Sequence, residues 1–173
     1  MKLKLLSLND VKLYCEYVNR HILESGYNDN IIFTVHTDPI PLKEFIEKNT
    51  KRWATPVGEN GWGRNWSHFD GDKIISNVNL RCVGENSLHR AFLGIGIEFP
   101  YRKRGLGTIL MDTAMEWVKD KTFLDYIDLS TYCHNDPAIK LFKKFGFKET
   151  SVKKDFIRIN GQSIDELQMT LKL

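Results

Sequence analysis

The sequence predicts a single α/β domain over residues 1–173, with a mixed, mostly antiparallel sheet of about seven strands and about four helices. The chain is 42% hydrophobic and 27% charged, which is enough apolar material for one full core. An apolar run at 91–97, a helical pattern and a second apolar run at 126–132 predict two parallel strands joined through a helix. Hairpin turns, Asp-Gly at 70–71 and Asn-Gly at 160–161, predict antiparallel strands on either side of this unit.

The remaining elements follow from local patterns. Residues 1–6 are typical of a first strand, and residues 7–10, Ser-Leu-Asn-Asp, resemble a capping box ahead of a helical apolar pattern at 11–22. A second short helix is predicted at 42–49. The hairpin arms are predicted at 63–69 with 73–82, and at 147–159 with 162–173. The helix that follows 91–97 is predicted to pack on the sheet through Leu106, Ile109, Leu110, Thr113, Ala114, Trp117 and Val118.

Composition excludes several classes of protein. No apolar run is long enough to span a bilayer, and the first residues lack the apolar segment and cleavage site of a signal peptide. The cysteines, Cys15, Cys82 and Cys133, are odd in number and lack the pair spacing of a metal site. We therefore expect a cytoplasmic protein with reduced thiols, no bound metal and no membrane contact.

Residues 102–107, Arg-Lys-Arg-Gly-Leu-Gly, join the strand at 91–97 to the following helix. A helix N-terminus offers unpaired N–H groups and partial positive charge, and glycines let a ligand approach the backbone. Spacing excludes a Rossmann fingerprint, because Leu110 replaces its third glycine, and a P-loop, because Thr108 follows Gly107. The segment predicts a site for an anion such as a pyrophosphate, although such turns also have purely structural roles.

This Arg-x-x-Gly-x-Gly segment resembles the acetyl-CoA-binding signature of the GNAT superfamily of N-acetyltransferases. A second segment, 135–147, matches that family's Asn-x-x-Ala-x-x-Leu-Tyr-x-x-x-Gly-Phe pattern except at Phe142, where the family usually has tyrosine. Two motifs in the right order on the right elements are more specific than either alone. The resemblance implies a GNAT-like domain and acetyl transfer from acetyl-CoA to a primary amine of a small molecule or protein.

The resemblance also implies where acetyl-CoA, the cosubstrate, is bound. Its pyrophosphate would lie against main-chain N–H groups of 102–108, and its pantetheine arm would lie where the strand at 91–97 parts from the next one. Asn135 would hydrogen-bond this arm and Phe142 would pack beside it, although Asn135 also suits a helix N-cap. The implied cofactor residues are Ile95, Ile97, Arg102, Lys103, Arg104, Gly105, Leu106, Gly107, Thr108, Asn135 and Phe142.

Catalytic candidates are fewer. Acyl transfer to a protonated amine needs a general base, and Glu98, which ends the strand at 91–97, is the first candidate, with His68 and His134 as others. Phe142 has no hydroxyl to protonate the leaving thiolate, so Tyr132, Cys133 or water would replace the family's tyrosine. Gly94 and Gly96 leave one strand face with hydrogens alone, which indicates close approach by a backbone or ligand, or a bulge.

The acceptor is expected to be set by the loops at 26–41 and 53–66. Trp53, Trp62 and Trp66 either form an aromatic wall for a cation or pack in the core. Between residues 140 and 158, seven basic residues stand against two acidic ones, which is consistent with a solvated face, a CoA phosphate contact or RNA binding.

Three functional classes stay open at this point. The chain is an N-acetyltransferase, an acetyl-CoA-binding sensor or docking module with little catalysis, or an RNA-associated acetyltransferase. We expect acetyl-CoA and an amine acceptor as partners of a monomer or homodimer. A nucleic-acid partner is not expected, because no stacking motif accompanies the basic residues.

Overall fold

The computed structural model describes residues 1–26, 33–34, 36, 38–159 and 161–173. Within these residues, seven strands form one sheet in the order β1-β2-β3-β4-β5-β7-β6, accompanied by four α-helices, as predicted. No helix in the described ranges is long and apolar enough to cross a membrane. The strands are β1 (Lys2–Leu5), β2 (Gly63–Asp70), β3 (Lys73–Cys82), β4 (Arg90–Ile97), β5 (Tyr126–Tyr132), β6 (Lys148–Ile159) and β7 (Gln162–Lys172). The helices are α1 (Val11–Leu23), α2 (Leu42–Ala54), α3 (Leu106–Val118) and α4 (Asp136–Lys144).

Strands β4 and β5 form the predicted parallel pair, joined through α3. They pair only over residues 90–92 and 126–128. Farther along, β4 stays paired with β3 and β5 stays paired with β7, so the two strands diverge. Their divergence leaves an opening between residues 93–97 and 129–132, which we call the β4–β5 gap.

The closed end of the β4–β5 gap is held by Asp128 of β5. Arg90 of β4 donates from Nε and Nη2 to its two carboxylate oxygens, at 2.7 and 2.6 Å, and Thr170 of β7 donates at 2.7 Å. Burial acts to raise the pKa of Asp128, but these hydrogen bonds and the charge of Arg90 lower it below its ordinary value. One carboxylate therefore links three strands at the point where two of them part.

Helix α3 packs against the sheet, although one predicted contact is wrong. Ile109 is 45% exposed, whereas Met111, which the pattern omitted, is fully buried. The buried face is centred on Leu110 and Ala114, and Ile109 lies about 100° around the helix from Leu110. The buried residues of α3 are Leu106, Leu110, Met111, Ala114 and Val118.

Of the two alternatives for the tryptophans, core packing is confirmed, because all three belong to the core. Trp53, Trp62 and Trp66 are 9%, 0% and 6% exposed. Trp53 lies on α2, which continues beyond its predicted end, and donates from Nε1 to Asn65 at 2.9 Å. Trp62 and Trp66 both pack against Trp117 of α3, with ring centroids 5.8 and 5.3 Å apart. Their ring faces are covered by the protein itself and are closed to a ligand.

Several local predictions are confirmed. At the start of α1, the Ser7 backbone N–H and hydroxyl both donate to Asp10 Oδ2 at 2.8 Å, which is the predicted capping box. At the start of α4, Asn135 Oδ1 accepts the Ala138 N–H at 3.4 Å, which is the predicted N-cap. Both predicted hairpins form. In the second turn, residue 160 lies outside the described residues.

The Asp128 contacts predict a pH-dependent loss of stability. We expect Asp128→Asn to lower the free energy of unfolding by about 1–2 kcal/mol at pH 7, because it removes charge-assisted hydrogen bonds at a half-buried site. The pKa of Asp128 is lowered on folding, so its contribution is present above the unfolded pKa and is lost as the pH falls through the folded one. Urea unfolding of both proteins in neutral and acidic buffer measures the difference between their free energies of unfolding, and this difference should shrink in acid.

A control for this experiment is Glu116→Gln. Glu116 forms an ion pair with Lys119 in which both side chains are exposed, so its loss should change stability little. Equal unfolding midpoints for Asp128→Asn and the wild type at pH 7 would contradict the role assigned to Asp128.

Candidate active site

The loop between β4 and α3 presents unpaired backbone donors. Lys103 and Gly105 both have left-handed backbone angles, with φ of 58° and 79°, and α3 begins at Leu106. In the described part of the chain, the N–H groups of residues 103–107 have no acceptor. Successive N–H groups in turns of this kind form a concave anion site, and the start of α3 adds its partial positive charge. This arrangement fits a pyrophosphate.

The two glycines of the loop have different reasons to be glycine. A β-carbon on Gly105 would meet no atom within 4 Å, so the space beside it is open, and its φ of 79° disfavours other residues. A β-carbon on Gly107 would lie 3.1 Å from Leu141 of α4 and 3.5 Å from Ile97. Gly105 therefore leaves room for a ligand, whereas Gly107 allows α3 to pack closely against α4 and the end of β4.

Arg102 shapes the loop from inside. Its Nε donates to the Ile97 carbonyl at 2.9 Å, and its guanidinium lies over the rings of Phe33 and Phe99, at 5.2 and 5.5 Å. Arg104, in contrast, lies over Tyr101 at 5.3 Å. Arg102 thus ties the loop to the end of β4, so that the loop amides and the β4–β5 gap are parts of one site.

The predicted cofactor residues lie around this site. Ile95 and Ile97 pair with Val78 and Ser76 of β3 and, in the described residues, have no strand partner toward β5. A ligand in the β4–β5 gap can therefore reach their backbone edge. Phe142 is 3% exposed and packs 6.0 Å from Phe147, within the core beneath α4. The ligand contacts of Asn135, Phe142 and the loop residues stay predictions.

The glycine face of β4 is approached by side chains of the chain itself. A β-carbon on Gly96 would lie 2.7 Å from the Tyr17 hydroxyl and 2.8 Å from His21 Nε2, and one on Gly94 would lie 2.7 Å from Asn79 Nδ2. The alternative of a bulge is wrong, because the register between β3 and β4 is continuous. Close approach is confirmed, and α1 supplies two of the residues that make it.

Tyr17 and His21 are candidate site residues that sequence reasoning missed. Both are buried in part or whole. Tyr17 Oη has no hydrogen-bond partner in the described chain, and His21 Nδ1 has only a long contact with Glu24, at 3.5 Å. Burial, then the neighbouring charges of Tyr14, Glu98 and Glu24, raise the pKa of Tyr17 well above its usual value. A buried polar atom without a partner is costly and indicates a place where a ligand supplies the missing group. The alternating glycines were the available signal, but they do not say which residues lie opposite.

The predicted catalytic residues occupy different surroundings. Glu98 is 2% exposed, and its two oxygens accept from Arg20 Nε at 2.7 Å and Lys73 Nζ at 2.6 Å. Tyr132 ends β5 beside Glu166 of β7, and burial, followed by the charge of Glu166, raises its pKa. Both lie at the end of a strand that borders the β4–β5 gap, as predicted, and their chemical roles stay predictions.

The two histidine candidates lie in different parts of the sheet. His68 lies on β2 with Nδ1 2.9 Å from Ser76 Oγ, and β3 stands between it and the gap, so this prediction is wrong. His134 follows β5, with its ring 5.9 Å from that of Tyr132. Of the predicted acceptor loop at 26–41, residues 27–32, 35 and 37 lie outside the described residues.

Solved structures share this fold. The chain is similar to a GNAT-family acetyltransferase of Streptococcus pneumoniae, with a TM-score of 0.82, 22% identity and 99% of each chain covered. It is also similar to yncA of Salmonella typhimurium, solved with its cofactor acetyl-CoA, with a TM-score of 0.81, 12% identity, and 99% of this chain and 93% of that one covered. At these identities the likeness establishes the fold alone.

Relatives and a family model agree with the fold. The L-amino acid N-acetyltransferase AaaT of Escherichia coli strain K12 is 32% identical over 81 residues, which is 47% of this chain and 50% of that protein. An N-alpha-acetyltransferase of Sulfolobus acidocaldarius is 34% identical over 78 residues, which is 45% of this chain and 46% of that one. The chain thus spans about half the length of these curated relatives. The model of the acetyltransferase (GNAT) family matches residues 31–147, most of the chain and both motifs, and the chain therefore belongs to the GNAT family of acetyltransferases.

Proposed function

We propose that this protein transfers the acetyl group of acetyl-CoA directly to a primary amine of a small molecule or protein. The observation that carries the proposal is the row of N–H groups at 103–107, which lie at the open end of the β4–β5 gap and have no acceptor among the described residues. The loop suits the pyrophosphate of CoA, and the gap suits the extended arm that ends in the thioester.

Direct transfer forms a C–N bond to the acetyl carbon and breaks its C–S bond. An amine with a pKa of about 10 is mostly protonated at neutral pH, so its nitrogen loses two protons, one before it attacks and one as the C–N bond forms. The departing sulfur gains one proton, and the other is released to solvent. The chain must therefore supply a proton acceptor near the amine and tolerate or protonate the thiolate.

His21 is better placed than Glu98 to accept the amine proton. His21 Nε2 is aimed at the glycine face of β4, and its Nδ1 lies 3.5 Å from Glu24, a carboxylate that can orient the ring. A proton on Glu98 would weaken two short ion pairs, to Arg20 and Lys73, at a buried position. We assign the role of general base to His21, whereas Glu98 holds Arg20 and Lys73 in place through its two ion pairs.

Tyr132 remains the candidate for protonating the thiolate. Its pKa is raised by burial and by Glu166, so its phenol stays protonated at neutral pH and can donate. Phe142 lies in the core with no polar group, and it cannot take this role.

The RNA-associated alternative loses support from the ion pairs of the basic stretch. Lys143 pairs with Glu149, Lys154 with Asp165, and Arg158 with Asp155. Charges already paired on the surface are less available to phosphates. The sensor alternative differs from the transferase in turnover alone, and thiol release from acetyl-CoA over a panel of amines separates them.

We expect Gly105→Ala to raise the Kd for CoA about tenfold or more, because a methyl group would enter the open space beside the loop amides. Calorimetry with CoA measures this. The matched control is Gly71→Ala, since Gly71 also has a left-handed φ, of 58°, and open space around its β-carbon position, but lies in the β2–β3 turn. Both changes should lower the melting temperature similarly, and equal CoA affinity in the two variants would refute the loop site.

We expect Tyr132→Phe to lower kcat about tenfold or more without changing the Kd for acetyl-CoA, because the ring remains and the proton donor is lost. Steady-state thiol release and calorimetry provide the two readouts. Unchanged kcat would remove Tyr132 from the mechanism and leave water as the proton source.

We expect His21→Gln to lower kcat/KM about 100-fold at neutral pH while leaving the Kd for acetyl-CoA unchanged, because the group that accepts the amine proton is lost. Glu98→Gln should lower kcat/KM less than about tenfold and should instead lower thermal stability, because Arg20 and Lys73 each lose an ion pair. Thiol release and thermal unfolding provide the two readouts. The reverse pattern, with the large loss in Glu98→Gln and near-normal kcat/KM in His21→Gln, would restore Glu98 as the base.

A further inference from the structure

Two arginines beside the closed end of the β4–β5 gap have no acidic partner among the described residues. Arg81 of β3 is opposite Phe92, the last residue of β4 that pairs with β5, and its guanidinium lies 4.2 Å from the centroid of that ring. Arg52 of α2 is its neighbour, because its side chain passes over Gly63, the β2 partner of Arg81. In the described part of the chain, no carboxylate lies within ion-pair distance of either.

The surroundings of Arg81 make this arrangement costly for the free protein. Burial lowers the pKa of Arg81, and the like charge of Arg52 lowers it further. Its side-chain hydrogen bond is a long one, from Nη1 to Asn79 Oδ1 at 3.5 Å. Asn79 is itself anchored by a 3.2 Å hydrogen bond from Nδ2 to the Gly94 carbonyl. A shielded guanidinium with no anion is destabilising and indicates that a ligand brings the anion.

The phosphates of CoA are the wrong anion for this place. The loop proposed to bind the pyrophosphate begins beyond Ile97, and Ile97 lies five residues after Phe92 along β4, which corresponds to about 17 Å of strand. Arg81 instead borders the face that carries Gly94, Gly96, Tyr17 and His21, where the acceptor amine is proposed to react. The anion therefore belongs to the acceptor.

We propose that Arg81, with Arg52 beside it, binds a carboxylate of the acceptor, so that the substrate is an amino acid. This inference rests on the proposed acetyl transfer. The planar fork of a guanidinium matches a carboxylate through two parallel hydrogen bonds, and the ring of Phe92 holds its plane. The distance from Arg81 to the reacting amine then determines which amino acids fit, because each amino acid has its own separation between amine and carboxylate.

The test is an acceptor panel assayed by thiol release from acetyl-CoA. It contains α-amino acids and a ladder of ω-amino acids, each beside its own carboxamide, with 2-aminoethylphosphonate and spermidine as acceptors of other charge. We expect at least one acid to be acetylated with a KM about 10- to 100-fold below that of its carboxamide. Acids and carboxamides that react alike, or a preference for spermidine or the phosphonate, would overturn the carboxylate assignment.

The variants locate the effect. Arg81→Met should raise KM for the preferred acid about 10- to 100-fold and leave both the KM for its carboxamide and the Kd for acetyl-CoA unchanged. Arg81→Lys keeps the charge but not the planar fork, so its KM for the preferred acid should lie between those of the wild type and Arg81→Met. It keeps the prediction testable if the methionine variant fails to fold. Arg64→Met is the matched control, because Arg64 is also half-buried but donates to the Gly63 and Thr55 carbonyls.

Failure of the carboxylate site can be distinguished from failure of the proposed acetyl transfer. If no acceptor releases thiol although acetyl-CoA binds, the proposed function fails and this inference fails with it. If thiol is released but Arg81→Met slows acid and carboxamide equally, acetyl transfer stands and the carboxylate site is refuted.

Discussion

The divergence of β4 from β5 is the constraint on which the rest of the site depends. Backbone groups inside a protein need partners, and two adjacent strands would ordinarily supply them to each other. Here pairing stops at Phe92 and Asp128, although both strands continue. Asp128 holds the closed end through Arg90 and Thr170, so the opening is built into the sheet and does not need a ligand to form it.

The open end of the β4–β5 gap suits a negatively charged group. Left-handed angles at Lys103 and Gly105 turn successive N–H groups outward just before α3 begins, and Arg102 ties this loop to the Ile97 carbonyl. Anion site and gap therefore share β4 as a common wall. A molecule with a diphosphate at one end and a long polar arm satisfies both at once, which is the basis for assigning CoA to this site.

The face of β4 that bears Gly94 and Gly96 is the basis for placing the acceptor in the proposed reaction. The missing β-carbons let Tyr17 and His21 of α1 come against the strand, and Tyr17 Oη is buried without a partner in the described chain. Arg81, farther along the same face, is a cation without a nearby carboxylate among the described residues. A buried hydroxyl and a cation that both lack strong partners support the proposal that the acceptor supplies them.

How far the sequence could go differs from residue to residue. The two motifs predicted the loop and the N-cap at Asn135, because each depends on chemistry within a few neighbouring residues. The parallel pair was predicted from two apolar runs on either side of a helical pattern. His21 and Arg81 escaped prediction, since their roles arise from α1 and β3 meeting β4 across the fold, and periodicity does not report which distant residues lie opposite. The tryptophans show the converse. Trp62 lies among glycines in the sequence, which allowed a ligand-binding role, but Trp117 of a later helix packs against it.

The most direct test of the β4–β5 gap is amide hydrogen exchange with and without acetyl-CoA. We expect slower exchange at residues 103–107 and 95–97 together, with β1 and β2 unchanged; equal exchange in both states at those two segments would contradict the assigned site.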